Sequence, residues 1–195
     1  METLDMKAIF FIIAGIVIFT LLTGVVWAEN IYSGFGGIDW ATPREAVLDC
    51  EKVEERGDIR YCMRRDQAHT LLGESIPEVL YGFYKDAFFS VFIRVENEEA
   101  YQATKARLKD GLGAPETSLD KDGMVAVLRW TRDKVRVELH NDRSVQGFQL
   151  AYYYVPIADK AARKHKNVKP GRWPNTKLFQ KEISEDQEPI RILTF

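Results

Sequence analysis

Two cysteines, Cys50 and Cys62, are the only thiols in this sequence of 195 residues. In an oxidising compartment such a pair forms a disulfide, which closes a short loop and stabilises a fold by roughly 2–3 kcal/mol. Their spacing does not fit C-x-x-C redox chemistry, haem attachment or paired zinc knuckles. The pattern therefore predicts a Cys50–Cys62 disulfide. The alternative is two free buried thiols that behave as small apolar residues.

The polar residues match no common catalytic or metal-binding pattern. His69, His140 and His165 lie far apart and share no metal-ligand spacing with a cysteine or a carboxylate. The sequence contains no G-x-S-x-G, no phosphate-binding glycine loop, no G-x-G-x-x-G and no H-E-x-x-H. We therefore expect no catalytic residue, no metal and no cofactor. A hydrolase whose site is assembled from distant residues remains an alternative.

The segment YGFYKDAFFSVFIRV, residues 81–95, is rich in aromatic side chains and alternates in a way that predicts a β-hairpin. Lys85-Asp86 forms its polar turn, and one apolar face is expected to enter the core. The residues assigned to that face are Val79, Tyr81, Phe83, Phe89, Val91, Ile93 and Val95. The other face is half apolar, so it is either buried or a binding surface for a partner. This candidate binding face comprises Tyr84, Phe88, Phe92 and, from a later strand, Tyr153.

A basic stretch lies in residues 160–173, near the end of the chain. It contains no acid and six cations, which are Lys160, Arg163, Lys164, Lys166, Lys169 and Arg172. On an exported protein such residues can contact an anionic membrane or wall polymer. The alternative is a solvated tail that pairs with the acidic residues 182–188. The whole chain has a formal charge of −2, which does not indicate a nucleic-acid-binding protein.

Residues 8–28, AIFFIIAGIVIFTLLTGVVWA, contain no charged side chain. A run of this length spans a bilayer as an anchor, whereas the small residues before Glu29 resemble a signal-peptide cleavage site. Both interpretations stay open, and Met6 is an alternative start to Met1, because Met6 and Lys7 begin a compact leader. In either case Lys7 marks the cytoplasmic side. The sequence thus predicts export to the periplasm or to the extracytoplasmic face of the inner membrane.

The remaining pattern predicts the order of the elements after a linker at residues 29–40. Thr42-Pro43 is typical of a helix start, and this helix is expected to end by Gly57. A second helix begins at the Asn97 cap, after the hairpin, and ends at the glycines within 111–113. The other predicted elements are strands at 58–65, 124–130, 134–140 and 146–155, and a last helix after Pro156.

These elements predict an α+β fold in which two or three helices pack mainly on one face of an antiparallel sheet of about five strands. The expected organisation is a leader at 1–28, a linker at 29–40, a single domain at 41–165 and an extended tail at 166–195. The tail ends in the apolar segment PIRILTF, which is expected to dock on the domain.

Three segments together resemble a loose class of small bacterial exported domains: FGGIDWATPREAV, YGFYKDAFFSVFIRV and LKDGLGAPE. Domains of this class open with an F-x-G-I-x-W-type segment that leads into a capped helix. They continue with an aromatic hairpin and close the next helix on a Leu-Gly-x-Pro-like turn. Here these elements are Phe35 to Glu45, Phe83 to Val91 and Leu112 to Pro115. The resemblance implies an exported α+β domain, and it carries over no functional residue.

The sequence thus favours an exported, non-enzymatic domain of the cell envelope that binds another protein or a surface. An alternative is a small-molecule or lipid carrier, which requires an apolar cavity of roughly several hundred Å³ between helix and sheet. A hydrolase is the third option, and it requires a nucleophile and a base within hydrogen-bond reach. The identity of the partner and the oligomeric state do not follow from the sequence.

Overall fold

The computed structural model describes residues 31–47, 49–64, 68–76, 79–119, 125–142, 147–164 and 190–193. The predicted leader at 1–28 lies outside the described residues, as does the stretch 165–189.

One large sheet and two small ones make up the described part of the chain. The strands are β1 (Gly34–Phe35), β2 (Ile38–Asp39), β3 (Cys50–Arg56), β4 (Ile59–Arg64), β5 (His69–Leu71), β6 (Glu74–Ile76), β7 (Val79–Tyr84), β8 (Ala87–Val95), β9 (Glu116–Leu119), β10 (Val125–Arg132), β11 (Val135–Asp142), β12 (Gly147–Tyr154) and β13 (Ile190–Ile192). The helices are α1 (Glu98–Leu112) and α2 (Val155–Lys164), and a 3-10 turn covers Arg44–Ala46. Eight strands form an antiparallel sheet in the order β3-β4-β7-β8-β12-β11-β10-β9, beside the hairpin β1-β2 and the sheet β13-β5-β6.

The two helices lie on opposite faces of the eight-stranded sheet. Face 1 carries Tyr81, Val91, Val137, Leu139 and Leu150, and it packs with Tyr101 and Leu108 of α1. Face 2 carries Leu80, Phe92, Ala151 and Tyr153, and it packs with Ala158 and Ala161 of α2. The expectation of about five strands with helices mainly on one face is therefore wrong, although the fold is still α+β. Because each face buries apolar side chains, each face needs its own cover.

Helix α1 begins and ends where the sequence predicts. The Asn97 side chain accepts a hydrogen bond from the Ala100 N–H at 2.9 Å, which satisfies one free donor of the first turn. The chain leaves the helix at Gly113, whose φ of 85° is easily adopted by glycine. Local signals alone therefore set both ends of α1.

The helix predicted from Thr42 to Gly57 is wrong beyond the 3-10 turn. Asp49 has a φ of 55°, in the left-handed region, which cannot continue a right-handed helix. The chain then forms β3, turns at Gly57, whose φ is 58°, and pairs with β4. Helix propensity is worth only a few tenths of a kcal/mol per residue, so the cross-strand pairing of β3 outweighs it.

A β-bulge in β8 exchanges the faces of two phenylalanines. The pairing of β8 with β7 skips Phe89, which is the extra residue. Phe88 therefore lies on face 1, where its ring stacks on Trp40 at 4.7 Å, and Phe89 lies on face 2. The predicted faces of Phe88 and Phe89 are wrong, because strict alternation does not allow for an inserted residue.

Residues 31–40 belong to the core, which corrects their assignment to a linker. They form the β1-β2 hairpin, and the Trp40 indole N–H donates to the Ile31 carbonyl at 3.0 Å. Phe35 is buried and lies 5.4 Å from the Tyr152 ring, between ring centres. Ile31, the first described residue, is therefore already part of the core cluster on face 1.

The last described residues of the tail pair with the body of the domain. β13 runs parallel to β5, and the side chains of Ile192 and Leu193 are buried in the core cluster of face 1. The apolar end of the chain thus has a fixed position, as its composition predicts, whereas an extended tail was expected over the whole of 166–195.

Candidate functional site

A cavity of about 150 Å³ lies on face 1, where β3, β4 and β7 meet the 3-10 turn. The residues that line it are Arg44, Lys52, Glu55, Arg60, Tyr61, Cys62 and Phe83. Three of them are cations, while the buried residues Cys62 and Phe83 supply an apolar part of the wall. We call this space the cationic cavity.

Backbone hydrogen bonds hold Arg44 beside the cationic cavity. The Phe88 N–H donates to the Thr42 carbonyl at 3.0 Å, and the Arg44 N–H donates to the Asp86 carbonyl at 2.7 Å. These bonds tie the 3-10 turn to the β7-β8 hairpin. The main chain therefore fixes the position of Arg44 before its side chain makes any contact.

The β3-β4 hairpin brings the other charged residues to the same face. Lys52 pairs with Cys62, and Glu55 pairs with Arg60. Residues three apart in a regular strand point to opposite faces, but the register shifts between Lys52 and Glu54. Because this bulge inserts one residue, Lys52 and Glu55 both reach the cationic cavity.

Ion pairs connect the side chains around the cavity. Arg60 donates from Nη1 to Asp86 Oδ1 at 2.9 Å and from Nε to Glu55 Oε1 at 3.3 Å. Lys52 Nζ donates to Glu55 Oε2 at 2.5 Å. The hydrogen bonds from Lys52 and Arg60 hold the pKa of Glu55 below its ordinary value. Glu55 is therefore a carboxylate at neutral pH.

Within the described part of the chain, the Arg44 side chain is held only by a long ion pair with Asp86. Its Nε atom is buried and makes no hydrogen bond, and Asp86 Oδ1 lies 3.6 Å from it. The three cations Arg44, Lys52 and Arg60 face two carboxylates, Glu55 and Asp86, so one positive charge is in excess. The Arg44 side chain as a whole is 39% exposed and lines the cavity, so an anion bound there lies close to the positive charge of its guanidinium.

The Cys50–Cys62 disulfide is confirmed, and its two Cα atoms are 5.4 Å apart. It joins β3, at the edge of the large sheet, to β4, and Cys62 lines the cationic cavity. Disulfides persist in oxidising compartments. The bridge therefore indicates an oxidising, extracytoplasmic location for the protein.

A second cluster of charged residues lies on face 2 and comprises Arg129, Arg136, Glu138 and His140. We call it the buried charge network. Arg129 Nε donates to Glu138 Oε1 at 2.8 Å, and Arg136 Nε lies 3.2 Å from the same oxygen. His140 Nε2 lies 3.0 Å from Glu138 Oε2. Burial alone would raise the pKa of Glu138, but the hydrogen bond with His140 and the charges of the arginines lower it below its ordinary value.

All four residues of the predicted binding face are buried. Tyr84, Phe92 and Tyr153 lie among the residues of face 2 that pack with α2, and Phe88 lies on face 1. Burial also raises the pKa of Tyr153 well above its ordinary value, so its phenol stays neutral. Because α2 covers the face that was expected to be open, these rings do not form an exposed surface.

The space between α2 and the sheet is small. It measures about 20 Å³ and is lined by residues that include Tyr61, Phe92 and Tyr153. That volume holds about one water molecule. Burial at this space raises the pKa of Tyr61 to about 12, so its phenol is neutral. A carrier needs a cavity of roughly several hundred Å³, which this space does not provide.

Three of the six cations of the predicted anionic contact lie in α2. Lys160 and Arg163 are exposed, whereas Lys164 Nζ donates to Asp58 Oδ2 at 2.5 Å. The other three, Lys166, Lys169 and Arg172, lie outside the described residues. Contact of this stretch with an anionic surface stays a prediction. In the part of the chain that the structure describes, no helix combines the length and the apolar character needed to cross a membrane.

The sequence prediction missed the cationic cavity because it placed residues 42–57 in a helix. Gly57-Asp58 is a dipeptide typical of tight β-hairpin turns, and it would have paired Lys52 and Glu55 with the following strand. Arg44 carries no such signal. It reaches the cavity only through the contact of the 3-10 turn with the β7-β8 hairpin.

Within the described ranges, no group of three or more His, Cys, Asp or Glu residues could hold a metal ion. No family model, no curated protein and no solved structure matches this chain. Its function is therefore inferred from the geometry of the chain itself.

Proposed function

We propose that this protein is a non-enzymatic domain of the cell envelope that holds an anionic group of a binding partner in the cationic cavity. The observation that carries the proposal is a space of about 150 Å³ that is lined by Arg44, Lys52 and Arg60 and has one more cation than carboxylates around it. The disulfide supports an oxidising location. The uncharged run 8–28 and the preceding Lys7 support the periplasm or the extracytoplasmic face of the inner membrane.

The chemistry of the cavity favours binding over catalysis. General acid–base catalysis is most effective when the pKa of the catalytic group lies near the operating pH, and the pKa of Glu55 is held below its ordinary value. Both cysteines of the chain are in the disulfide, so neither supplies a thiolate nucleophile. Exposed cations, in contrast, attract an anionic partner and speed its association.

Site-specific photocrosslinking in the native cell tests the proposal. A photoreactive amino acid replaces Glu45, which is exposed and adjacent to Arg44, in the full-length chain. The expected result is a discrete adduct that disappears in the double variant Arg44→Gln/Arg60→Gln. The matched control places the same photoreactive residue at Leu119, which is 65% exposed in β9 at the other edge of the sheet. An adduct that forms equally at both positions, or that survives the double variant, contradicts the proposed site.

The location is tested separately with an alkaline phosphatase fused after Phe195, because this reporter folds only where disulfides form. We expect it to be active. If the phosphatase fusion is inactive and a second fusion, to a reporter that works only in the cytoplasm, is active, the envelope location is contradicted.

A further inference from the structure

We propose that the group held in the cationic cavity is a carboxylate attached to a compact apolar body. This inference rests on the proposed function and adds the chemical class of the ligand. The charge, the volume and the wall of the cavity support it.

The charge of the cavity fits an anion with a single negative charge. Arg44, Lys52 and Arg60 share two carboxylates, Glu55 and Asp86, so the group has a net charge of +1. A monoanion balances this charge. A dianion such as sulfate would leave a negative charge uncompensated beside two carboxylates, and like charges at short range are unfavourable.

The volume of the cavity fits a small organic acid. A space of about 150 Å³ accommodates a molecule of about the size of benzene. An ion of a few atoms would leave much of it filled with water, whereas a drug-sized ligand needs roughly 300 Å³ or more. A carboxylate that carries three or four carbon atoms fills the space.

The wall of the cavity offers both a polar and an apolar partner. Arg44 lines the cavity, and a guanidinium matches the planar geometry of a carboxylate. Cys62 and Phe83 are buried in the core cluster beneath the charged rim. An aliphatic group in contact with them leaves water, which is favourable.

Two sources can present such a group: a free small organic acid, or the last residue of a polypeptide, which carries its own carboxylate and an aliphatic side chain. The probes are isobutyrate, acetyl-Gly-Gly-Val with a free carboxyl end, the same peptide with a terminal amide, and sulfate. Titration calorimetry on the full-length protein measures the affinity of each probe.

We expect isobutyrate to bind more tightly than sulfate and the peptide acid to bind more tightly than the peptide amide. If the peptide acid exceeds isobutyrate, the source is a polypeptide end. If isobutyrate binds and the peptide acid does not, the source is a free acid. Arg44→Gln should weaken the preferred probe by about tenfold or more, the loss of one charge-assisted hydrogen bond. Arg44→Lys keeps the charge and loses the planar fork, so an intermediate loss is expected.

The control is Arg129→Gln, the same substitution made in the buried charge network. In folded protein it should leave the affinity for the probe unchanged. Sulfate that binds more tightly than isobutyrate would overturn the carboxylate class. If none of the probes binds although the photocrosslinked adduct still depends on Arg44 and Arg60, the ligand class is wrong and the proposed function stands. If that adduct is also absent, both fail.

Discussion

The cationic cavity and the buried charge network are built from the same kinds of side chain, but they differ in burial. The side chain of Glu138 is 6% exposed and is contacted by Arg129, Arg136 and His140. The side chain of Glu55 is 35% exposed and belongs to a group with surplus positive charge. The comparison shows that residue type does not decide the role of a charged cluster. A cluster whose carboxylate is buried contributes to stability, whereas an exposed cluster beside a cavity is available to a ligand.

The energetic consequence of this difference is large. Breaking a buried ion pair leaves an uncompensated charge in a poorly solvated place, which destabilises a fold by roughly 3–5 kcal/mol. An exposed pair is solvated in both states and contributes only about 0–1 kcal/mol. The two regions should therefore respond very differently to equivalent substitutions.

The largest expected effect comes from Glu138→Gln. The amide removes the negative charge that compensates Arg129 and Arg136, so we expect a loss of about 3 kcal/mol in the free energy of unfolding, at the low end of the range because both arginines reach solvent. Urea denaturation measures it. Glu55→Gln is the matched control, and because this carboxylate is solvated it should change the free energy of unfolding far less than Glu138→Gln does. Equal losses in the two variants would contradict the distinction between the regions.

Reduction of the Cys50–Cys62 disulfide should destabilise the fold by about 2–3 kcal/mol and loosen β3 most of all. Among the side chains of β3 whose burial is described, no hydrophobic one is buried, so backbone pairing with β4 and the disulfide hold the strand. Hydrogen exchange should accelerate in residues 51–56 and stay slow in β8 and β12. The Cys50→Ala/Cys62→Ala variant, treated with the same reductant, should show no further change. If hydrogen exchange in β3 is unchanged after reduction, the disulfide does not hold this strand.

Acid should destabilise the buried charge network. The pKa of Glu138 is lowered in the folded state, where His140 and the arginines favour its charged form despite its burial. A lowered folded pKa gives stability that is fully present above the unfolded pKa and is lost as the pH falls through the folded pKa. The free-energy difference between wild type and Glu138→Gln should therefore shrink as the pH falls below the ordinary value of 4.5. A difference that stays constant over this range would show that the charge is not responsible.

The smallest effect on stability is expected for Lys52→Gln at the cationic cavity. Lys52 is exposed and its ion pair with Glu55 is solvated, so the free energy of unfolding should change by less than about 0.5 kcal/mol. The same substitution removes the surplus positive charge and should weaken the binding of isobutyrate. A variant that loses stability but keeps its affinity for isobutyrate would show that Lys52 stabilises the fold and does not bind the ligand.

The sequence predicts elements whose ends are set by neighbouring residues. Asn97 and Gly113 define α1 through contacts within one helical turn, and the Lys85-Asp86 turn defines the β7-β8 hairpin, with both residues at positive φ. Gly82 is a subtler case, because a Cβ there would meet Ser90 Oγ at 2.1 Å across the strand pair. Such a constraint is visible only once the register of β7 and β8 is known.

The features that the sequence did not predict depend on contacts between distant segments. The bulge at Phe89 follows from the pairing of β7 with β8, and the strand structure of residues 50–56 follows from their pairing with β4. The cationic cavity depends on the pairing of β3 with β4 and on the docking of the 3-10 turn on Asp86. The Gly57-Asp58 turn signals the first of these contacts, but no residue pattern along the chain signals the second, so the complete site could not be derived from the sequence.

The most direct test of the account is the NMR resonance of the Arg44 Nε–H group in the full-length protein with and without isobutyrate. We predict that this resonance shifts when isobutyrate is added, because the guanidinium then lies beside a new negative charge in the cavity. The Arg129 Nε–H group already donates to Glu138 and should not move. An unchanged Arg44 resonance at saturating isobutyrate, or equal shifts for both arginines, would contradict the assignment of the cationic cavity as the binding site.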